Sequence, residues 1–197
     1  MTTKEKILDT ARILFNEQGI RSTTTRHIAA SMPISPGNLH YHFRHTEDIV
    51  IALFEQLKKK YDKMMEEVQE LSLTQLDDLV PVFDILYDQI NNYRFLFIHF
   101  VEISSWIPEI KKDYQQLLLR REEQFKNWLD ALTKQGVIVN LADKTREGII
   151  KKLFIVGDFW ISHNALYKQY TGDEARQDFV STLRSVLSPY VNTTKAK

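Results

Sequence analysis

The chain has no cysteine, and its 197 residues include only 6 glycines and 5 prolines. It carries no surplus of charge either, because 26 Lys+Arg balance 26 Asp+Glu. The missing thiols exclude a disulfide scaffold, a thiolate zinc site, a cysteine nucleophile and iron–sulfur ligation together. So few turn-forming residues argue against an all-β fold, which needs a turn every few residues. Zero net charge excludes a uniformly basic coat for nucleic acid, so any cationic surface must be local. Long apolar runs are missing too. The most apolar stretch, residues 95–103, is interrupted by His99 and Glu102 and is about half a membrane span. The first six residues contain no apolar signal segment, so the expectation is a soluble protein retained in the cytoplasm, away from any membrane. The remaining composition, 43% hydrophobic and 26% charged, is that of an ordinary globular protein of one domain or two small ones.

The balanced charge is unevenly spread. Residues 1–45 hold six basic side chains (Lys4, Lys6, Arg12, Arg21, Arg26, Arg44) against three acidic ones (Glu5, Asp9, Glu17), which makes the head +3 and the remainder −3. Four of the six histidines, His27, His40, His42 and His45, also lie in this head.

Hydrophobic spacing reads as helix nearly throughout. Thr2-Thr3-Lys4-Glu5 is a capping box, followed by a stripe of Ile7, Leu8, Ala11, Leu14 and Phe15 that Gly19 stops. A short second helix is expected from about Thr25 to Met32, ended by Pro33. Ser35-Pro36 opens a third, with a strong N-cap and a proline tolerated at the first helical position. A long fourth helix begins at Thr46-Glu47-Asp48 and carries Ile49, Leu53, Leu57, Tyr61, Met64, Val68 and Leu71 on one face. Further helices are expected at about 75–93, 95–105, 108–135, 142–169 and 173–191, with a kink or late start at Pro81. Val137-Ile138-Val139 is β-branched but too short and solitary for a sheet. The fold class is all-α.

Two short helices joined by Pro33-Ile34-Ser35 have the size of a helix-turn-helix unit. Packed through Leu39 and Phe43, the second of them offers its opposite face to a major groove. Each exposed polar residue there reads, on its own, as a solvated side chain. In this order and register the residues resemble the head of the TetR family of bacterial transcriptional regulators: Phe15-Asn16-Glu17-Gln18-Gly19, Thr24-Thr25-Arg26-His27-Ile28-Ala29, Ser35-Pro36-Gly37-Asn38-Leu39-His40-Tyr41-His42-Phe43 and Thr46-Glu47-Asp48-Ile49. There are three departures from that pattern. Pro33 replaces the usual turn glycine, His40 a usual tyrosine, and Thr46 a lysine that often binds phosphate.

The resemblance implies DNA contacts from Thr25, Arg26, Ser35, Gly37, Asn38, His40, Tyr41 and His42. It implies a DNA-binding domain at 1–48 and an all-helical dimerisation and ligand-binding domain at 49–197. It also implies a homodimer on a near-palindromic double-stranded operator, released by a small-molecule effector. The stripes Ile150, Leu153, Phe154, Gly157, Ile161 and Phe179, Leu183, Val186, Leu187, Tyr190 suit an isologous interface, or equally the protomer's own core.

For an effector pocket, Asn92, Phe95, His99, Glu102 and Trp106 share one helical face, and Trp160, His163, Asn164 and Tyr167 share another. Apolar walls with a few polar groups characterise small-molecule sites, though an aromatic core with a satisfied histidine has the same pattern. Glu102, in so apolar a run, needs a partner: His99, an arginine, or a ligand's cation. His99-x-x-Glu102 reverses the Glu-x-x-His order of di-iron bundles and has no second copy, so neither a metal nor another cofactor is expected. No nucleophile elbow, Walker loop, dinucleotide fingerprint or HExxH motif is present, which argues against an enzyme. The main reading is thus a ligand-released repressor. The alternatives are a ligand-independent DNA-binding dimer whose body docks a protein partner and, more distantly, a ferritin-like helical enzyme.

Overall fold

A computed structural model describes residues 1–193, so the last four residues of the expected 49–197 body lie outside the described residues. The described residues form α1 Thr3–Gln18, α2 Thr25–Ala30, α3 Pro36–His42, α4 Thr46–Gln69, α5 Val80–Asn92, α6 Arg94–Ile98, α7 Phe100–Trp106, α8 Pro108–Gln135, α9 Asp143–Leu166 and α10 Gly172–Leu187. Ile138 bridges Val191 in a single antiparallel pair, and no longer ladder forms among the described residues. The all-α expectation holds.

Local chemistry sets the boundaries. At α1 the Thr2 hydroxyl accepts from the Glu5 N–H (3.2 Å) while the Glu5 carboxylate accepts from the Thr2 N–H (2.7 Å). The α2 cap is Thr24, one residue earlier than Thr25, and the helix stops at Ala30 rather than near Met32. The next four residues are used to turn the chain. The Ile34 N–H reaches back to the Met32 carbonyl (2.9 Å) across Pro33, a tight three-residue turn that suits proline's fixed φ. No residue of this turn has a positive φ, so the glycine usual in the resembling family is not needed. Ser35 caps α3, accepting from the Asn38 N–H (3.2 Å). Asp48 accepts from the N–H groups of Arg44 (3.0 Å) and His45 (2.9 Å) and closes the start of α4.

Pro81 sits in the first turn of α5, after a 3-10 turn at Leu76–Leu79, so the helix expected from 75 starts late, at Val80. The helix expected over 95–105 is two helices, broken at His99. Gly136, at φ 74°, ends α8 with the Val137 N–H returning to the Leu132 carbonyl (2.9 Å).

α1, α2, α3 and the first turns of α4 enclose a small core of Ile7, Phe15, Ile28, Leu39, Phe43 and Ile49. α4 runs on without interruption into the body, burying Leu53, Leu57, Tyr61, Met64 and Val68 against its helices. A boundary after Asp48 therefore falls inside the first turn of α4, not at a linker. The two stripes considered for a dimer surface are largely spent within the protomer. Ile150, Leu153, Ile161, Phe179, Leu183 and Leu187 are all buried in its own core.

Candidate DNA-binding surface and effector cavity

Ile28, Ala29 and Leu39 bury the inner faces of α2 and α3, which leaves the other faces to solvent. Arg26, Ser35, Gly37, Asn38 and His40 are exposed, Thr25 and His42 are half-buried, and Tyr41 is 85% exposed. All eight expected contact residues thus lie on α2, α3 or the turn between them, none sealed in the core. Tyr41 packs edge-on to His42, with ring centroids 5.2 Å apart. Gly37 faces open space: an added Cβ would meet only the Ser35 hydroxyl, at 3.9 Å. Arg26 and Arg44 form no ion pair among the described residues, so their charge is available on this side of the head.

The head is fastened to the body along α1. Asn16 donates to the Asn92 carbonyl (2.8 Å) and accepts from the Phe95 N–H (3.0 Å), bridging the break between α5 and α6. Arg12 also donates to the Asn92 carbonyl (3.2 Å). Phe15 packs on Phe95 with centroids 5.1 Å apart. On the far side of the seam, Arg21 donates to Glu102 in an ion pair.

Behind the seam lies an apolar cavity in two lobes. One is bounded by Phe54, Leu57, Phe97, Phe100, Tyr114 and Leu117, with empty space of about 500 Å³ counting the part open to solvent. The other, about 670 Å³ on the same measure, is bounded by Met64, Met65, Phe83, Phe125, Trp128 and Leu153, among others. Tyr61, Arg121 and Asp158 line both lobes and form a polar waist. The Tyr114 hydroxyl donates to Asp158 (2.5 Å), and the Arg121 guanidinium stacks 4.0 Å from the Tyr61 ring centroid. Burial pushes the Asp158 carboxyl above the ordinary carboxylate range, against the pull of the Tyr114 hydrogen bond and the Arg121 charge. Burial likewise raises the phenols of Tyr61 and Tyr114, so both stay protonated donors.

The residues expected to form a pocket are not gathered around this cavity. Phe95 and Trp160 are core, Phe95 against Phe15 and Trp160 against Tyr87 and Phe179, with the Trp160 indole donating to Asp178 (2.9 Å). Asn164 holds the turn after α9, donating to the Tyr170 carbonyl (2.9 Å) and accepting its N–H (3.0 Å). His163 is exposed. His99 sits 3.8 Å from Glu102, and Glu102 and Trp106 line an open cleft against Arg21, Thr23 and Thr46 of the head. Glu102's partner is an arginine, and it comes from the head. For residues 92–106 the physical reason is the break at His99, because positions spaced for one continuous helix do not share a face across it.

Tyr61, Arg121 and Asp158 do not stand out when the chain is read for unusual clusters. A signal exists nonetheless. Ile110, Tyr114, Leu117, Arg121, Phe125, Trp128 and Leu132 recur at spacings of three or four, so Arg121 occupies a core position of an apolar stripe.

An exposed α3 on a compact three-helix head, joined by one helix to an all-helical body, defines a helix-turn-helix transcription regulator. The chain belongs to the TetR family: the pattern for "Bacterial regulatory proteins, tetR family" matches residues 7–53, and that for "Bacterial transcriptional repressor" matches residues 55–197. It is a DNA-binding regulator and not an enzyme. Over 142 residues it is 29% identical to the probable HTH-type transcriptional regulator YttP of Bacillus subtilis (strain 168), covering 66% of this chain and 69% of that one. Over 134 residues it is 22% identical to the HTH-type transcriptional repressor KstR2 of Mycolicibacterium smegmatis, covering 68% and 64%. The chain thus spans about two thirds of the length of these relatives. Among solved structures, a TetR-family regulator from Marinobacter aquaeolei VT8 superposes with a TM-score of 0.86 at 28% identity, over 98% of this chain and 93% of that one. The complex of SmeT, the multidrug efflux pump repressor of Stenotrophomonas maltophilia, with triclosan shares the fold at a TM-score of 0.66 and 18% identity, over 98% and 94%. No helix among the described residues is long and apolar enough to cross a membrane.

Proposed function

We propose that the protein is a cytoplasmic, homodimeric repressor that a small molecule releases from a near-palindromic operator. In this reading residues 1–48 bind DNA and the remainder senses and dimerises. α3 enters the major groove. Asn38 and His40 face base edges, Tyr41, His42 and Arg26 reach phosphates, and Thr25, Ser35 and Gly37 let the backbone approach the duplex. Two heads on a dyad must present their α3 helices about 34–36 Å apart to meet successive grooves on one side of the duplex.

The observation that carries the reading is that the cavity is built on α4, whose first turn belongs to the head. Phe54, Leu57, Tyr61 and Met64 of α4 line the lobes. Leu96 and Phe97 line the smaller lobe from α6, next to the Phe95 N–H that Asn16 holds. A ligand wedged between α4 and α8 therefore strains two connections to the head. It lowers DNA affinity by binding the wrong head spacing more tightly than the right one. A homodimer is supported by the outer face of α9, where Ile155, Phe159 and Leu166 lie at i, i+4 and i+11 and are 52%, 41% and 87% exposed.

The test is analytical sedimentation of the pure protein followed by selection of duplexes from a random pool. The expected result is a dimer at micromolar concentration that enriches a two-fold symmetric site. A monomer, or a pool that shows no symmetric enrichment, would overturn the reading.

A further inference from the structure

The polar waist of the cavity is rich in donors and poor in acceptors. Arg121 is 91% buried, since only 9% of its surface is exposed, and it lines both lobes. Its Nε and Nη2 groups have no hydrogen-bond partner, and it forms no ion pair within 4.0 Å among the described residues. The Trp128 indole Nε1–H, in the larger lobe, is likewise buried and without a partner. The acceptor at the waist, Asp158, already takes the Tyr114 hydroxyl. Buried donors are nearly always paired in folded proteins, and an unpaired guanidinium is the costliest kind to leave. The Tyr61 ring, 4.0 Å from its carbon, holds the group in place but offers no lone pair along its N–H directions.

We infer that the effector is an amphipathic organic anion, a carboxylate on a hydrocarbon body, whose charged group sits on Arg121 at the waist between the two lobes. This rests on the reading of the cavity as an effector site. The geometry of a guanidinium suits a carboxylate, which accepts two parallel N–H bonds from one planar group. The walls suit a flexible apolar body. Met64 and Met65 are unbranched and adaptable, and Phe83, Phe125, Phe154 and Leu153 complete the larger lobe. A cationic amphiphile finds no comparable welcome. It would place a second cation beside Arg121, and the one carboxyl it could use is occupied by Tyr114 and held toward its neutral form by burial. Lys58, at the rim of the smaller lobe, adds no free charge, because it is paired with Glu55 (2.5 Å) and Asp113 (3.2 Å).

Three probes of equal chain length separate the possibilities: decanoate, decanol and decyltrimethylammonium, each below its micelle-forming concentration. Binding to the full-length protein is followed by calorimetry, and release from a selected duplex by anisotropy. Decanoate is expected to bind at one site per protomer, at least tenfold tighter than either other probe, and to release the duplex. Arg121→Met should weaken decanoate at least tenfold and change decanol less than twofold. Arg121→Lys, which keeps the charge but not the planar fork, should fall between. Trp128→Phe serves as a second variant should Arg121→Met fail to fold, with a smaller loss for decanoate alone. If decyltrimethylammonium or decanol binds tighter than decanoate, or Arg121→Met leaves decanoate unaffected, the anion assignment is wrong while the effector cavity stands. If none of the three binds, both fall.

Discussion

Asn16 of α1 takes both ends of a broken helix at once. Its amide nitrogen serves the Asn92 carbonyl and its amide oxygen serves the Phe95 N–H, 2.8 and 3.0 Å away. One short side chain thereby satisfies the last turn of α5 and the first of α6, groups that a helix end otherwise leaves open. Asn16→Ala should cost about 1–2 kcal/mol for the two bonds. In a chain of this size that lowers Tm by roughly 2–8 °C. Scanning calorimetry reads the effect, and an unchanged Tm would mean that water replaces the amide freely.

The ion pair between Arg21 and Glu102 is of a different kind. Arg21 is 82% exposed at its side chain, and exposed pairs are worth about 0–1 kcal/mol. Glu102→Gln should therefore leave Tm within about 4 °C. It should also leave decanoate affinity unchanged, because the side chain lines the outer cleft and not the cavity. A tenfold loss of decanoate affinity would return Glu102 to the effector site.

Tyr41 offers a separation of stability from function. At 85% exposure its removal should change stability by no more than about 0.5 kcal/mol. If it positions a phosphate, Tyr41→Ala should weaken operator and random duplex alike, by about tenfold for one bond to a charged group. Asn38→Ala should weaken the operator more than random DNA. Equal losses for Asn38→Ala on both duplexes rule out its reading of a base.

Asp158 makes stability depend on pH in a definite sense. Its carboxyl titrates higher in the folded protein than in the unfolded chain, chiefly through burial. The folded state therefore holds the proton more tightly, and ionising the group opposes the fold. Stability from this site is full below the unfolded value and is lost as pH rises through the folded one. Asp158→Asn, which can still accept from Tyr114, should match wild type in mild acid and exceed it in Tm by a margin that grows toward pH 8. A margin that shrinks with rising pH would reverse the assignment.

Arg121→Met should also stabilise the unliganded protein. A buried, unpaired guanidinium is costly, and a flexible apolar side chain of similar length restores packing, a change worth on the order of 1 kcal/mol or more in comparable buried sites. A variant that melts earlier than wild type in the absence of ligand would mean that stacking on Tyr61 outweighs the lost hydration.

The head was legible because its determinants are local. Caps at Thr2 and Ser35 and the stop at Gly19 each act within a few residues, and the structure keeps all three, while α2 ends at Ala30, before Pro33 is reached. The cavity was not legible because its polar members come from three helices far apart in the chain: Tyr61, Arg121 and Asp158. The mixed aromatic and ionisable face expected over residues 92–106 does not exist as one face, because the helical period is broken at His99. Trp160 and Asn164 illustrate a second limit. A polar atom on an apolar face marks burial, but whether it serves a ligand or a neighbour such as Asp178 or Tyr170 depends on chain that packs back from later in the sequence.

The unbroken run of α4 makes it a lever arm. Tyr61, at the cavity waist, lies 15 residues beyond Thr46, at the end of α4 that belongs to the head. At about 1.5 Å per residue that arm is roughly 22 Å long, so a tilt of about 5° at the waist swings its far end by about 2 Å. Two such arms moving apart about a dyad would change the gap between heads by about 4 Å, roughly one base-pair step of the duplex at ~3.4 Å. A displacement too small to unpack the body would thus be magnified, by the stiffness of one rod, into a misfit of about one base-pair step.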